Sequence, residues 1–269
     1  MNLAMPDETP SPQSRNIDPV TLPRAILFDL DDTILAAGER RLVLLDVARE
    51  FAGELEPFTP DEVADRLEAG LAAFWSDPVR HKTARFGIPA ARLKVISGVF
   101  AAMEAIHLTP DLAARLAARF AALREQLTGF FPGAFETLEA LKARGVRLAL
   151  VTNGGTATQR AKIERFALEP LFDHIQIEGE HDFGKPDERA YRHAMAVLGV
   201  DAEETWIVGD NLEWEVAAPQ KLGIFAVWFD GFAKGLPEGA TVKPDRIIQS
   251  LPELIDWTSG FEPGERRCV

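Results

Sequence analysis

Four short apolar runs constrain the fold of this chain more than any other feature. They are AILFD at 25–29, RLALVTN at 147–153, TWIVGD at 205–210 and GIFAVWFD at 223–230. Each is continuous rather than alternating, so a strand made from it has both faces covered, as in a parallel sheet. Segments of helical period, 156–168, 187–198 and 212–222, lie between the later runs. This alternation predicts an α/β fold with a doubly wound parallel sheet, whose ligand site lies beyond the carboxyl ends of its strands. The polar residues Asp29, Thr152, Asn153 and Asp210 that close the runs then converge on one crevice.

Residues 37–128 read differently. Val63, Leu67, Leu71 and Phe74 form one helical stripe. Leu93, Ile96, Phe100, Met103 and Ile106 form a second, and Leu112, Leu116, Phe120, Leu123 and Leu127 a third. Amphipathic helices with no strand between them predict an all-helical subdomain inserted after the first strand. The α/β core is then assembled from 23–36 and 129–258, between a leader at 1–22 and a tail at 259–269. The leader is polar, carries four prolines and lacks the basic-then-apolar layout of a signal peptide, so it is expected to be disordered. No apolar run approaches the roughly 20 residues of a membrane span. The single cysteine, Cys268, has no internal partner, which fits a reduced cytoplasmic setting. A net charge of -13 disfavours nucleic acid and anionic membranes as partners.

The first run ends in three carboxylates within four positions, Asp29, Asp31 and Asp32. Two ionised carboxylates about 4 Å apart repel by roughly 4 kcal/mol at an effective dielectric near 20. Such a cluster splays into water as a polar turn, shares protons, or holds a cation. Asp29 and Asp31 lie two apart in near-extended backbone, so their side chains share a side. Asp32 has the other parity and is assigned to the turn.

Three further segments bear on function. VTNGG at 151–155 places a hydroxyl and backbone N–H groups at a helix start, which suits an anion as well as an ordinary cap. It matches neither a nucleotide P-loop nor a dinucleotide fingerprint. Lys185, in GKPD, stands between two strand ends that carry polar residues, although a lone lysine is usually a solvated charge. VGDNLEWE at 208–215 supplies Asp210 and, inside the next helix, Glu215, where acidic residues also favour the helix dipole. His81, His107, His174, His181 and His193 show no metal-ligand spacing and read as surface or helix residues.

In order, FDLDDTIL, VTNGG, Lys185 in GKPD, and VGDNLEWE resemble the four motifs of the haloacid dehalogenase (HAD) superfamily of aspartate-nucleophile hydrolases. The likeness spans about 24–250, and the helical insertion matches the family's cap over a Rossmann-like core. The resemblance implies a Mg²⁺-dependent phosphatase that hydrolyses a small phosphorylated metabolite through an aspartyl-phosphate. Asp29 would be the nucleophile and Asp31 the general acid/base. Thr152, with backbone amides around Asn153 and Gly154, would bind the phosphoryl oxygens, and Lys185 would neutralise nucleophile and phosphate charge. Asp29, Asp210 and the Asp31 backbone carbonyl would hold Mg²⁺, with Glu215 as a secondary ligand. The family usually has Asp where Glu215 stands, and often Asn where Trp214 stands.

Two alternatives stand beside the phosphatase. Carbon–halogen hydrolysis belongs to the same family, but its members resemble FDxYGT at the first motif, and a halide leaves without the acid that Asp31 supplies. A catalytically silent binding module would have no use for that acid either. For the leaving group, Arg40 and Arg41 either reach an anion or stay solvated. Phe74, Trp75 and Phe86 line an apolar pocket or, as their helical spacing favours, pack in the core.

Overall fold

The computed structural model describes residues 21–259. The expected leader up to residue 20, and the tail from 260 with Cys268, lie outside the described residues. Along the chain the strands are β1 (Ala25–Phe28), β2 (Leu35–Ala36), β3 (Gly129–Phe130), β4 (Arg147–Thr152), β5 (His174–Ile177), β6 (Thr205–Gly209), β7 (Phe225–Phe229) and β8 (Arg246–Ile248). Six of them form one parallel sheet in the order β5-β4-β1-β6-β7-β8. β1 sits inside because it is apolar on both sides. Ile26 and Phe28 belong to the core on one face, Ala25 and Leu27 to the core on the other. The strand order reverses direction around β1, which makes the crevice beyond its carboxyl end the switch point where α/β sheets place ligands. The four apolar runs are therefore the four inner strands β4, β1, β6 and β7. The outer strands β5 and β8 escaped the sequence pattern because HIQI and RII are short and interrupted by polar residues.

The helices α1 (Arg40–Glu50), α2 (Ala52–Leu55), α3 (Pro60–Trp75), α4 (Pro78–Ala84), α5 (Ile88–Ala102) and α6 (Pro110–Leu127) follow one another without a strand. They enclose a hydrophobic core of their own, separate from the two cores of the sheet. Local chemistry sets their starts. Thr59 caps α3 in a reciprocal box with Glu62, Thr109 caps α6, and proline occupies the first turn of both. The antiparallel pair β2–β3 closes the base of this cap, joining its entry to its exit. The α3 stripe is buried as expected. Of the α5 stripe, Ile96, Phe100 and Met103 are buried as expected, whereas Leu93 is 38% exposed and Ile106 fully exposed: Ile106 lies past the end of the helix at Ala102, and Ala91 and Val95 are the buried residues of its first turns.

The remaining helices flank the sheet: α7 (Ala134–Ala143), α8 (Thr156–Arg165), α9 (Glu188–Leu198), α10 (Ala218–Gln220) and α11 (Glu253–Ser259). Between β6 and α10, residues 212–217 form a π-helical turn, a geometry frequent at functional sites, and the expected regular helix over 212–222 is absent. Among the described residues no helix is long and apolar enough to cross a membrane.

Candidate active site

Three adjacent strands deliver the site. β4 ends at Thr152, and Asp29 and Asp210 directly follow the ends of β1 and β6, so residues far apart in sequence share one crevice. Asp29 is anchored through its own N–H to the carbonyl of Val208 at 3.0 Å. Its Oδ1 lies 2.6 Å from Nζ of Lys185, which also lies 2.7 Å from Oε1 of Glu215. Lys185 has no exposed surface. Burial pulls its pKa down, but Asp29 and Glu215 outweigh that pull and hold it above the usual range. Burial raises Asp29, against the attraction of Lys185. Burial likewise pushes Glu215 up, to about 7. The lysine is thus fixed between two carboxylates, one of which is the strand-end residue.

Asn153 fixes the backbone of this lysine. Its Nδ2 donates to the Lys185 carbonyl at 2.7 Å, and its Oδ1 accepts from the Lys185 N–H at 2.9 Å. The close approach explains the preceding glycine, since a Cβ on Gly184 would stand 2.7 Å from Asn153 Oδ1 and 2.6 Å from Glu178. Likewise a Cβ on Gly209 would collide with the Glu215 side chain folded beneath it. The N–H of Gly154 donates to Glu178 at 3.1 Å, so in this arrangement it is occupied. Thr152 accepts from Gln159 Nε2 at 2.6 Å, which leaves its own hydroxyl proton available to a ligand.

Asp31 points to α8. Lys162 Nζ stands 2.6 Å from its Oδ1, and Gln159 donates to its Oδ2 at 3.0 Å. Gln159 and Lys162, one helical turn apart, were not singled out in the sequence. The available signal was their i, i+3 spacing directly after VTNGG.

Asp210 faces the open crevice, and among the described residues its carboxylate accepts no hydrogen bond. Its carbonyl takes the Trp228 indole N–H at 2.6 Å. Dense surroundings first, then Asp29, Glu215 and Asp32, raise its pKa well above the usual range. Asp32 is also raised, by burial, with Arg124 opposing. Its turn assignment holds, with φ at 56°, yet it also lines a cavity of about 310 Å³ beside Asp210. Four carboxylates therefore share a site with one inner cation, Lys185.

The donor set fits a hard divalent ion. Among the described residues no three His, Cys, Asp or Glu side chains form a metal cage. Mg²⁺ needs none, because it is held through one or two carboxylates plus water and substrate phosphate. Asp210 and Asp29 offer such a pair on neighbouring strands. The side chains of Asp31 and Glu215 are instead engaged by Lys162 and Lys185.

The cap reaches the same crevice. Arg85, at the end of α4, forms a buried ion pair with Glu178 and lies 5.5 Å over the ring of Trp214. His81 packs edge-on against Trp214 at 4.6 Å and Trp75 at 5.0 Å. Trp214, in the position where the family often has asparagine, is thus a docking point for the cap. His81, read from the sequence as a surface or helix residue, lies on α4 and joins the contact between cap and core. Arg40 and Arg41 are ion-paired within the cap, with Glu68 and Asp65 respectively. Phe74 is core, and Phe86 is 54% exposed.

The family model of haloacid dehalogenase-like hydrolases matches residues 23–223. The chain belongs to that family. This HAD hydrolase is 34% identical over 250 residues to the phosphoserine phosphatase of Thermus thermophilus, a match covering 86% of this chain and 98% of the relative. Its fold resembles a HAD hydrolase from Bacillus subtilis bound to magnesium (TM-score 0.64, 24% identity, 88% and 99% of the two chains). It also resembles a 2-haloacid dehalogenase from Pseudomonas syringae (TM-score 0.52, 25% identity, 88% and 99%).

Proposed function

We propose that this HAD hydrolase is a Mg²⁺-dependent phosphatase that cleaves a small phosphorylated metabolite through an aspartyl-phosphate on Asp29. The observation that carries the reading is the fully buried Lys185 held 2.6 Å from Asp29, with Asp210 at the next strand end. An anionic nucleophile and an anionic phosphoryl group repel, and a site for their reaction must cancel that charge. Lys185 supplies one positive charge at Asp29. Bound by Asp29, Asp210 and the Asp31 carbonyl, Mg²⁺ would supply further charge neutralisation and orient the phosphoryl group.

Asp29 attacks phosphorus, with Thr152 donating its free hydroxyl proton to a phosphoryl oxygen. The Gly154 N–H joins it on release from Glu178. Asp31 protonates the leaving alkoxide, then takes the proton of the water that frees phosphate from Asp29. Gln159 bridges Thr152 and Asp31, which keeps acid and phosphate donor in register. Relatedness to a phosphoserine phosphatase over nearly its full length supports the same reading. A carbon–halogen hydrolase has no need to protonate its leaving halide, so Asp31 favours phosphate.

Release of phosphate from p-nitrophenyl phosphate with and without Mg²⁺ tests the proposal. Turnover in the parent chain that vanishes with EDTA and in Asp29→Asn is expected. Halide release from a 2-haloacid without phosphate release would overturn it.

A further inference from the structure

Tyr191 is the only tyrosine of the chain, against 17 phenylalanines, and it has no exposed surface. It stands on α9 among Leu27, Val151 and Ile207, in one of the two cores of the sheet, where a phenyl ring would pack as well. A hydroxyl there loses its water and needs a partner. It has one on another element: the Tyr191 O–H donates to the carbonyl of Trp214 at 2.5 Å.

Two local features deprive that carbonyl of a helical donor. In the π-helical turn 212–217 the N–H of Ala218 goes to the carbonyl of Glu213, the i+5 pairing of such a turn. By the same register the carbonyl of Trp214 falls to Pro219, which has no N–H to give. Tyr191 serves in its stead. The peptide unit it holds is the one that leads into Glu215. At the other end of that unit the Glu215 N–H donates to the Asn211 carbonyl at 2.8 Å, and the Asn211 N–H donates back to Glu215 Oε2 at 2.9 Å. Glu215 Oε1 then meets Lys185 Nζ at 2.7 Å. Lys185 and Tyr191 flank the start of α9, so one short segment grips Glu215 at its carboxylate and at its peptide.

We propose that Tyr191 is a positioning residue for the reaction: by fixing the peptide between Trp214 and Glu215, it sets the glutamate carboxylate against Lys185 and so keeps the ammonium on Asp29. The Glu215 side chain is long, and a peptide held at both ends removes the freedom at its root.

The inference rests on the phosphatase reading for the work of Lys185, and the test keeps the two apart. Among the described residues Lys185 is the only buried lysine, so its ammonium protons are the slowly exchanging ones in a ¹⁵N-lysine spectrum. Tyr191→Phe keeps the ring and removes the hydroxyl. In that variant the Lys185 protons are expected to exchange at least about tenfold faster, the factor of one lost hydrogen bond, while the backbone amides of β1 and β6 keep their rates. With p-nitrophenyl phosphate and Mg²⁺, kcat should fall about tenfold and KM should stay within about twofold. Neither change should appear when Tyr191→Phe is added to Glu215→Gln, where the carboxylate it positions is already gone. An unchanged Lys185 exchange rate, a rate that rises only in step with the strand amides, an unchanged kcat in an active parent, or an effect that adds to that of Glu215→Gln overturns the proposal. Faster Lys185 exchange in a chain whose parent never turns over p-nitrophenyl phosphate would sink the phosphatase reading and leave the hold on Lys185 standing.

Discussion

The sheet crevice and the cap treat charge in opposite ways. In the crevice Lys185 and Glu215 are almost wholly out of water, and each ion is fixed by a partner from another part of the chain. The cap keeps an interior of aliphatic and aromatic side chains and confines most of its ion pairs to its surface. A fixed charge is suited to a reaction, because little reorganisation is needed when new charge develops beside it. A surface charge is screened by water and holds its partner only weakly. Arg85 crosses between the two: it comes from the cap and is buried against Glu178 of the core.

If this contrast is right, the largest effect belongs to Asp29→Asn. The substitution keeps the shape and leaves Lys185 paired with Glu215, so the melting temperature should change little. Turnover of p-nitrophenyl phosphate should fall by at least about a thousandfold. A variant that unfolds as well as losing activity would show the crevice to be stabilising rather than catalytic. Next comes Arg85→Met, which strands the buried Glu178 carboxylate. Loss of one partner of such a pair costs about 3–5 kcal/mol, read by urea unfolding. Arg85→Met/Glu178→Gln should recover part of it, since the amide oxygen still accepts from Gly154 without the charge. A single variant as stable as the parent would remove Arg85 from its bridging role. Leu67→Ala, in the middle of the cap core, should cost about 3 kcal/mol while the folded fraction keeps its turnover. Loss of turnover beyond the unfolded fraction would mean that cap packing and crevice geometry are not separate.

The same contrast explains what could be read from the sequence. Asp29, Thr152 and Asp210 were legible because a buried strand that stops at a polar side chain marks both the strand and its mouth. The α3 stripe was legible because a helix packed on one side repeats its apolar residues. Lys185 was visible only by its place between two such strand ends, and nothing local revealed that it would lose all contact with water. Arg85 and Glu178 lie 93 residues apart, and Asp31 and Lys162 lie 131 apart. Arg85, Glu178 and Lys162 look like ordinary surface charges until the fold brings each to its partner. The α5 stripe misled for a related reason. Leu93 and Ile106 have the period of the buried Ile96, Phe100 and Met103, but they stand at the two ends of the stripe, where the helix buries Ala91 and Val95 at its start and stops at Ala102. Periodicity gives a face, not the element that covers it.

The smallest effect concerns His81, at the seam between the two regions. Its ring is wedged between Trp75 and Trp214, and burial followed by the charge of Arg85 lowers its pKa from the usual value near 6.5. The folded chain therefore prefers the neutral imidazole. Its contribution to docking is complete above about pH 6.5, where the unfolded chain is neutral as well. It declines as the pH falls from there towards the lowered value, because the unfolded chain takes up a proton that the docked ring resists. His81→Phe keeps the edge-on ring contacts and cannot titrate. The difference in melting temperature between parent and His81→Phe should then grow in favour of the variant between about pH 7 and pH 5. Parallel profiles for the two chains would mean that the seam senses no protons.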